Sequence, residues 1–425
     1  MDRLTKAAPL RTAEVIAVGS ELLGTTRVDT NSLYLAGRLA SIGIQLRAKS
    51  VVGDDTAALA HVIRGALDRA DLVVLTGGLG PTDDDVTRDA VADVLGVEMD
   101  EDPAIVEKIR QRFARRGLNM PEVNRKQAMV PRGATVLPNA LGSAPGLTIG
   151  YGSKLLILLP GPPRELQAMF EPLLEGVQKE HATPERLYRT IIFIVGRSES
   201  HVEEAAQPVY SRLRDGTPPV ETTILAAPGQ IELHLTVRWD DEEAAGRLLA
   251  GAREELVEAL GGDVFSTDGA PMERVVGELL ERRKLTIATA ESCTGGLLLS
   301  RLTDVPGSSS WVLGGVVAYS NESKTLFADV PVALIAAHGA VSEPVAVALA
   351  EGVRARLGSD IGVGVTGIAG PSGGTPSKPV GTVAIAVIGP DGPARVQTVW
   401  LPGSRTQVKF NASQTALDMV RRLLV

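Results

Sequence analysis

Short apolar segments alternate with helical patterns along the first part of the chain, and this alternation limits the fold more than any other feature. Parallel strands need a long crossover, usually a helix, so the pattern predicts a parallel sheet covered on both faces. We therefore predict an α/β domain over residues 1–178. Its strands and intervening helical patterns are Glu14–Gly19, Leu33–Ile42, Gln45–Val52, Thr56–Arg69, Asp71–Thr76 and Leu155–Leu159.

The next segment, residues 181–266, has a different order of elements. The order β-α-β-β-α-β predicts a small α+β module of the split βαβ, ferredoxin-like type, and a KH-like module would give the same pattern. A KH module needs a GxxG loop with basic neighbours to bind nucleic acid, and this segment has no such loop. We therefore interpret the module as a spacer or dimerisation element. Its elements are Tyr188–Val195, Glu199–Arg214, Glu221–Ala227, Gln230–Trp239, Asp241–Leu260 and Asp263–Ser266.

The last segment, residues 271–425, again alternates helices with apolar strands, which predicts a second α/β domain. The whole chain is therefore expected to be a multidomain α/β protein, and its 425 residues fit two or three cores. The predicted strands and the two terminal helices are Met272–Arg283, Leu285–Thr289, Trp311–Tyr319, Asp360–Thr366, Gly381–Ile388, Arg395–Leu401 and Gln407–Leu424.

Composition excludes several classes of protein. A net charge of −8 argues against a nucleic-acid partner, which needs a basic surface. Cys293 is the one cysteine, which fits a reducing compartment. No apolar run approaches the roughly 20 residues that span a bilayer. We expect a cytoplasmic protein with small-molecule ligands and no membrane contact, and a homodimer as the default assembly.

The first motif, Thr76–Thr82 (TGGLGPT), follows a buried strand, and Asp83–Asp85 then opens a helix. Glycines at the carboxyl end of a strand let backbone N–H groups approach an anion, and the helix N-terminus favours negative charge. Three carboxylates facing a phosphate would repel it unless a divalent cation lay between them. The alternative is a plain turn followed by a helix cap, and the residues alone leave both interpretations open.

The second motif begins with Ser292, at the bend between a strand and a helix, where we expect it to be exposed. The N–H groups of Thr294, Gly295 and Gly296 would point toward a developing oxyanion. A serine nucleophile needs a base, and the five histidines lie outside the motifs. Lysine is the known substitute, and Lys324 lies one turn into another predicted helix, whose positive end favours the neutral amine.

Other residues of the last segment fit the same site. Tyr319 could relay a proton or hold the serine, the loop Thr366–Pro371 follows a strand, and Arg405 could bind a phosphate. The alternative is that the serine caps a helix, the tyrosine packs and the lysine is solvated. Cys293 is a rival nucleophile, but no histidine is placed to activate it.

The N-terminal motifs resemble the N-terminal domain of CinA proteins, which in turn resembles the MoaB/MogA fold; they are Gly19–Leu23, Asp29–Asn31, Thr76–Thr87, Asn124–Ala128 and Leu159–Glu165. The resemblance implies a metal-dependent ADP-ribose pyrophosphatase that yields AMP and ribose 5-phosphate. It implies that Asp84 and Asp85 hold a divalent metal ion of unknown identity. The residues that it implies for ligand binding are Asn31, Gly77, Gly78, Gly80 and Thr82.

The C-terminal motifs resemble the CinA domain that deamidates nicotinamide mononucleotide; they are Glu291–Gly296, Gly314–Lys324, Thr366–Pro371, Lys378–Val383 and Arg405. The resemblance implies Ser292 as nucleophile and Lys324 as base, assisted by Tyr319 and Thr366, with no metal required. The substrate-binding residues that it implies are Thr294, Gly295, Gly296, Asn321, Gly367 and Arg405. The family usually has aspartate where this chain has Ser404.

Two other functions are compatible with this resemblance. The chain could be a non-enzymatic adaptor in competence or DNA-damage responses, although its polar site residues are all present. The N-terminal domain could bind molybdopterin, an interpretation that rests on fold alone.

Overall fold

The structure is a computed structural model that describes residues 9–181 and 185–425. Residues 1–8 of the predicted first domain and 182–184 of the predicted middle module lie outside this description. The chain divides into two units, Met1–Tyr188 with Arg238–Ala245, and Arg189–Val237 with Gly246–Val425. Within the described residues, no helix is long and apolar enough to span a membrane.

The first unit is built on a six-stranded sheet with the order β2-β1-β3-β8-β7-β6. Strands β2, β1, β3 and β8 are parallel, as predicted. Strand β7 pairs antiparallel with β8, and β6 pairs antiparallel with β7. Every residue of β3 is buried, because helices cover both faces of the sheet. The elements are β1 Thr12–Val18, α1 Asn31–Ser41, β2 Gln45–Val52, α2 Thr56–Arg69, β3 Leu72–Thr76, α3 Thr87–Leu95, β4 Met99–Glu101, α4 Pro103–Ala114, β5 Met129–Pro131, β6 Thr135–Leu137, β7 Gly146–Tyr151, β8 Lys154–Leu159 and α5 Pro163–His181.

The middle segment forms a four-stranded sheet with the order β10-β11-β9-β12 and two helices, which confirms the predicted β-α-β-β-α-β order. The tight turn at Pro228 and Gly229 joins β10 to β11 as an antiparallel hairpin. The elements are β9 Arg186–Ile194, α6 Glu199–Arg214, β10 Val220–Ala227, β11 Gln230–Trp239, α7 Glu242–Leu260 and β12 Val264–Ser266.

The last segment contains a five-stranded sheet with the order β14-β13-β15-β16-β17. Strands β14, β13 and β15 are parallel, so their carboxyl ends lie at one edge of the sheet, and the polar motifs follow these ends. The elements are α8 Met272–Arg283, β13 Ile287–Glu291, α9 Leu297–Thr303, β14 Val312–Val317, α10 Asn321–Ala328, α11 Val332–His338, α12 Glu343–Leu357, β15 Ile361–Gly367, β16 Thr382–Ile388, β17 Arg395–Trp400 and α13 Arg405–Leu424.

Part of the middle segment packs into the same core as the last segment. Phe193 and Phe265 join the buried cluster that includes Trp311 and the apolar face of α13. The Arg421 guanidinium on α13 donates to the backbone carbonyl of Gly262 at 2.8 Å. These contacts fix the position of α13, which also contributes to the site described below.

Candidate active site

Ser292 follows β13 directly, and its Oγ lies 3.2 Å from the Nζ of Lys324, which is on α10. The expectation that Ser292 is exposed is wrong, because only 7% of its surface and 2% of that of Lys324 are accessible. The chain after β14 continues beside the end of β13, where the Ala318 N–H donates to the Glu291 carbonyl. The structure therefore brings the predicted nucleophile and base into direct contact inside the protein.

Burial shifts the protonation equilibrium of Lys324 toward the neutral amine. Burial lowers the pKa of Lys324, although Cys293 and Glu322 act in the opposite direction. Its Nζ also lies 3.1 to 3.4 Å from the backbone carbonyls of Ala318–Ser320. A neutral amine has two N–H donors and one lone pair, so the carbonyls can accept both donors while the lone pair faces the Ser292 hydroxyl. This geometry suits proton abstraction from the serine.

Glu291, the last residue of β13, holds the loop that carries Ser292. Its buried carboxylate accepts hydrogen bonds from the N–H groups of Gly296, Leu298 and Leu299 at 2.8 to 3.1 Å. These are amides at the N-terminus of α9, which would otherwise lack acceptors. Glu291 therefore joins the strand to the helix and fixes the bend between them.

This loop corrects one sequence-based expectation about the oxyanion donors. The Gly296 amide donates to Glu291, and the Gly295 amide donates to the Ser292 carbonyl at 3.1 Å. Neither amide is free to point toward a developing oxyanion, so their predicted role is wrong in this detail. Of the three predicted donors, the Thr294 amide alone has no oxygen acceptor among residues 9–181 and 185–425, and it lies within hydrogen-bonding reach of the Cys293 sulfur.

Replacing Glu291 by glutamine is expected to lower the free energy of unfolding by about 1–3 kcal/mol, because a charged acceptor of several buried N–H groups becomes neutral and loses one acceptor oxygen. Urea denaturation followed by circular dichroism measures this change. Glu281→Gln, on an exposed position of α8, is the matched control. Equal stability of the two variants would contradict the capping role.

The Cys293 thiol is not activated as a nucleophile. It is buried, and desolvation raises the pKa of Cys293 to about 12, which keeps the thiol protonated. A Cβ added to Gly367 would lie 3.0 Å from its sulfur, so Gly367 allows the thiol to pack against β15. Gly367 is thus a packing position in this structure, and its contact with substrate stays a prediction.

The remaining predicted residues lie around the serine and lysine in different ways. Tyr319 is 59% exposed, and its phenol oxygen accepts a hydrogen bond from the Arg405 guanidinium at 2.8 Å. The backbone carbonyl of Tyr319, in contrast, accepts a hydrogen bond from the Lys324 amine. Thr366 is buried and its hydroxyl donates to the Ala340 carbonyl at 2.8 Å. Asn321 is the exposed first residue of α10. Arg405 and Tyr319 thus form a polar pair on the outside of the site.

The first unit has a separate cavity of about 840 Å³ at the carboxyl ends of its parallel strands. All seven residues predicted for ligand or metal binding in this domain line it: Asn31, Gly77, Gly78, Gly80, Thr82, Asp84 and Asp85. Asn31 donates from Nδ2 to the Gly161 carbonyl, and its buried Oδ1 has no partner among the described residues. A buried acceptor without a donor indicates a position for a ligand N–H or hydroxyl group.

The glycines of the first motif are required by close packing. Gly77 and Gly78 have φ values of 97° and 63°, a region that residues with a Cβ rarely adopt. An added Cβ would lie 2.2 Å from the Val18 carbonyl oxygen at Gly77, and 2.2 Å from the Thr87 Oγ1 at Gly78. The loop therefore lies close against β1 and α3, with its polar residues facing the cavity.

The aspartates of the first motif do not open a helix, contrary to the prediction, because α3 begins at Thr87. The Asp85 carboxylate accepts hydrogen bonds from the amides of Gly80 and Thr82 and from the Thr82 hydroxyl. It therefore organises the glycine loop. The described part of the chain contains no group of three His, Cys, Asp or Glu side chains placed to hold a metal ion. Metal binding by Asp84 and Asp85 stays a prediction.

Comparison with known proteins identifies the family. Residues 269–424 match the family model described as "CinA C-terminal domain", and residues 14–179 match "Probable molybdopterin binding domain". A CinA-like protein of Koribacter versatilis is 47% identical over 422 residues, which cover 97% of this chain and 100% of that protein. This chain belongs to the CinA family. The resemblance inferred from the motifs is confirmed.

One further relative and one solved structure are also similar to this chain. A CinA-like protein of Acidobacterium capsulatum is 44% identical over 429 residues, covering 97% of this chain and 100% of the relative. The crystal structure of CinA from Thermoplasma acidophilum is 34% identical and covers 39% of this chain and 99% of that chain, with a TM-score of 0.37.

Sequence reasoning missed two functional features of this CinA chain. The carboxylates of Glu291 and Asp85 each accept hydrogen bonds from several backbone amides of the adjoining loop. The signal available was an acidic residue close to glycines and a helix start, which favours an amide-binding role. The pattern does not say which amides are bound, because that depends on the path of the loop.

Proposed function

We propose that the Ser292–Lys324 pair hydrolyses a primary carboxamide, and that the substrate is nicotinamide mononucleotide. The 3.2 Å contact between two buried groups carries the proposal, since a buried lysine with a lowered pKa is the base that a serine nucleophile needs. The confirmed family and the Arg405 guanidinium beside the site support a nucleotide as substrate.

The reaction follows from the roles of the two groups. The Lys324 lone pair removes the Ser292 proton as Oγ attacks the carboxamide carbon, and the tetrahedral oxyanion forms beside the Thr294 amide. The C–N bond breaks, and the lysine ammonium returns the proton to the leaving nitrogen, which departs as ammonia. Lys324 then removes a proton from water as the water oxygen attacks the acyl carbon. The bond from the acyl carbon to Oγ breaks, the Lys324 ammonium returns the proton to Oγ, and nicotinate mononucleotide is released.

The full-length protein is expected to release one ammonia for each nicotinamide mononucleotide consumed, and to turn over nicotinamide riboside with a lower kcat/KM. The physical reason is that the riboside lacks the phosphate that a cation beside the site can bind. A glutamate dehydrogenase-coupled assay measures the ammonia. Absence of ammonia from both substrates would reject the deamidase function and favour the non-enzymatic alternative for the last segment.

For the cavity of the first unit, we propose a nucleotide diphosphate ligand of the ADP-ribose type. The unpaired Asn31 Oδ1 and the large polar cavity at the strand ends favour a ligand with several hydroxyl groups. Cleavage to AMP and ribose 5-phosphate is what the family resemblance implies. A competition experiment between ADP-ribose and molybdopterin tests the alternative ligand.

Replacing Asp85 by asparagine is expected to weaken ADP-ribose binding by about tenfold, even in EDTA, because the loop loses a charged acceptor for its amides. Isothermal titration calorimetry measures the affinity. Asp83→Asn, two residues before Asp85 and outside the lining of the cavity, is the matched control. If the Asp85 variant binds normally in EDTA and differs from wild type only with a divalent cation, the carboxylate acts through the metal instead.

A further inference from the structure

A second cation, Lys409, lies one turn after Arg405 on α13. The helix is capped by Ser404, whose hydroxyl and backbone form reciprocal hydrogen bonds with Gln407, so serine serves as the cap at this position. Residues four apart share a helix face, which places the Lys409 and Arg405 side chains on the same side of α13.

Lys409 reaches the loop that carries the nucleophile. A Cβ added to Gly295 would lie 3.5 Å from the Lys409 Nζ, so the ammonium rests against the backbone of this glycine. Gly295 has a φ of 62°, and its amide donates to the carbonyl of Ser292. The lysine is therefore close to the site, because Gly295 lies three residues after the proposed nucleophile Ser292.

Neither cation on this face of α13 is neutralised by a carboxylate. Arg405 donates to the Gly370 carbonyl and to the Tyr319 hydroxyl, and both of these acceptors are uncharged. Lys409 makes no hydrogen bond or ion pair with any residue in the described ranges 9–181 and 185–425. Two like charges four residues apart disfavour each other on a helix. Although the chain has a net charge of −8, these two cations have no carboxylate partner among the described residues. An anionic ligand would neutralise them.

We propose that Lys409 binds the 5′-phosphate of the mononucleotide substrate together with Arg405, and that it sets the preference for nucleotides over nucleosides. This inference rests on the proposed deamidase function. Arginine offers a planar pair of donors to phosphate, while lysine adds a mobile point charge. Binding energy from this remote group holds the carboxamide at Ser292.

The kinetic test uses full-length Lys409→Met, Lys409→Arg and the control Arg283→Met, which removes one charge from an exposed position on α8. The ratio of kcat/KM for nicotinamide mononucleotide to that for the riboside is expected to fall about tenfold or more in Lys409→Met. It is expected to recover largely in Lys409→Arg and to stay at the wild-type value in Arg283→Met. An unchanged ratio in a folded Lys409→Met protein overturns the proposal.

A second test does not depend on turnover. Full-length wild-type protein is acylated at its lysines with and without ribose 5-phosphate, and labelling of each lysine is read by mass spectrometry. Ribose 5-phosphate is expected to protect Lys409 at least severalfold, whereas ribose does not. Equal labelling with and without the phosphate overturns the phosphate role. Protection of Lys409 in a protein that releases no ammonia supports the phosphate subsite and rejects only the deamidase function.

Discussion

Replacing Ser292 by alanine is expected to lower kcat for ammonia release by at least about 10³-fold, because no other activated nucleophile adjoins Lys324. The free energy of unfolding should change by about 1 kcal/mol or less, since the variant loses a single hydrogen bond at Oγ and keeps the backbone bond to Val365. Ammonia release and urea denaturation measure the two quantities.

The matched control for this variant is Cys293→Ala, which removes the rival nucleophile next to it. Because burial keeps the thiol protonated, this variant should retain ammonia release of the same order as the wild type. The reverse result, with an active serine variant and an inactive cysteine variant, would move the nucleophile to Cys293. Wild-type turnover in both variants would place the chemistry outside this loop.

The pairing of Ser292 with Lys324 could be predicted because it follows from sheet topology. Both residues come after parallel strands, and the carboxyl ends of neighbouring parallel strands lie at one edge. The prediction needs only the strand positions and a right-handed α/β arrangement, and short apolar runs such as Ile287–Glu291 give these positions reliably. Residues 32 apart in sequence are thus brought together by the fold.

The accessibility of the serine and the roles of the loop amides could not be predicted in the same way. They depend on how the chain continues after a strand, as when Ala318 forms a hydrogen bond with the last residue of β13. The antiparallel strands β6 and β7 were also missed. Strand β6 has three residues, too few for alternation to be visible, and β7 contains two glycines, which are uncommon in strands. The hydrogen-bond partners of Glu291 and Asp85 depend on tertiary contacts, which sequence patterns do not predict.

Replacing Lys324 by methionine is expected to lower kcat by at least about 10³-fold, since the Ser292 hydroxyl then has no base within reach. Methionine retains the length of the side chain but has no amine for the carbonyls of Ala318–Ser320. Ammonia release measures the loss, and Lys284→Met, at an exposed lysine of the same domain, is the matched control.

The pH dependence distinguishes a base from a lysine that only fills space. Catalysis requires the neutral amine, so wild-type kcat/KM should rise with pH through the lowered pKa of Lys324 and level off below the ordinary lysine value of 10.5. Between these two pKa values the unfolded chain binds more protons than the folded one, so the wild-type free energy of unfolding should rise with pH relative to Lys324→Met. The contrary result is a wild-type kcat/KM that does not change with pH, together with free energies of unfolding of wild type and Lys324→Met that change with pH in parallel. It would show that Lys324 stays an ammonium, and the serine would then lack its base.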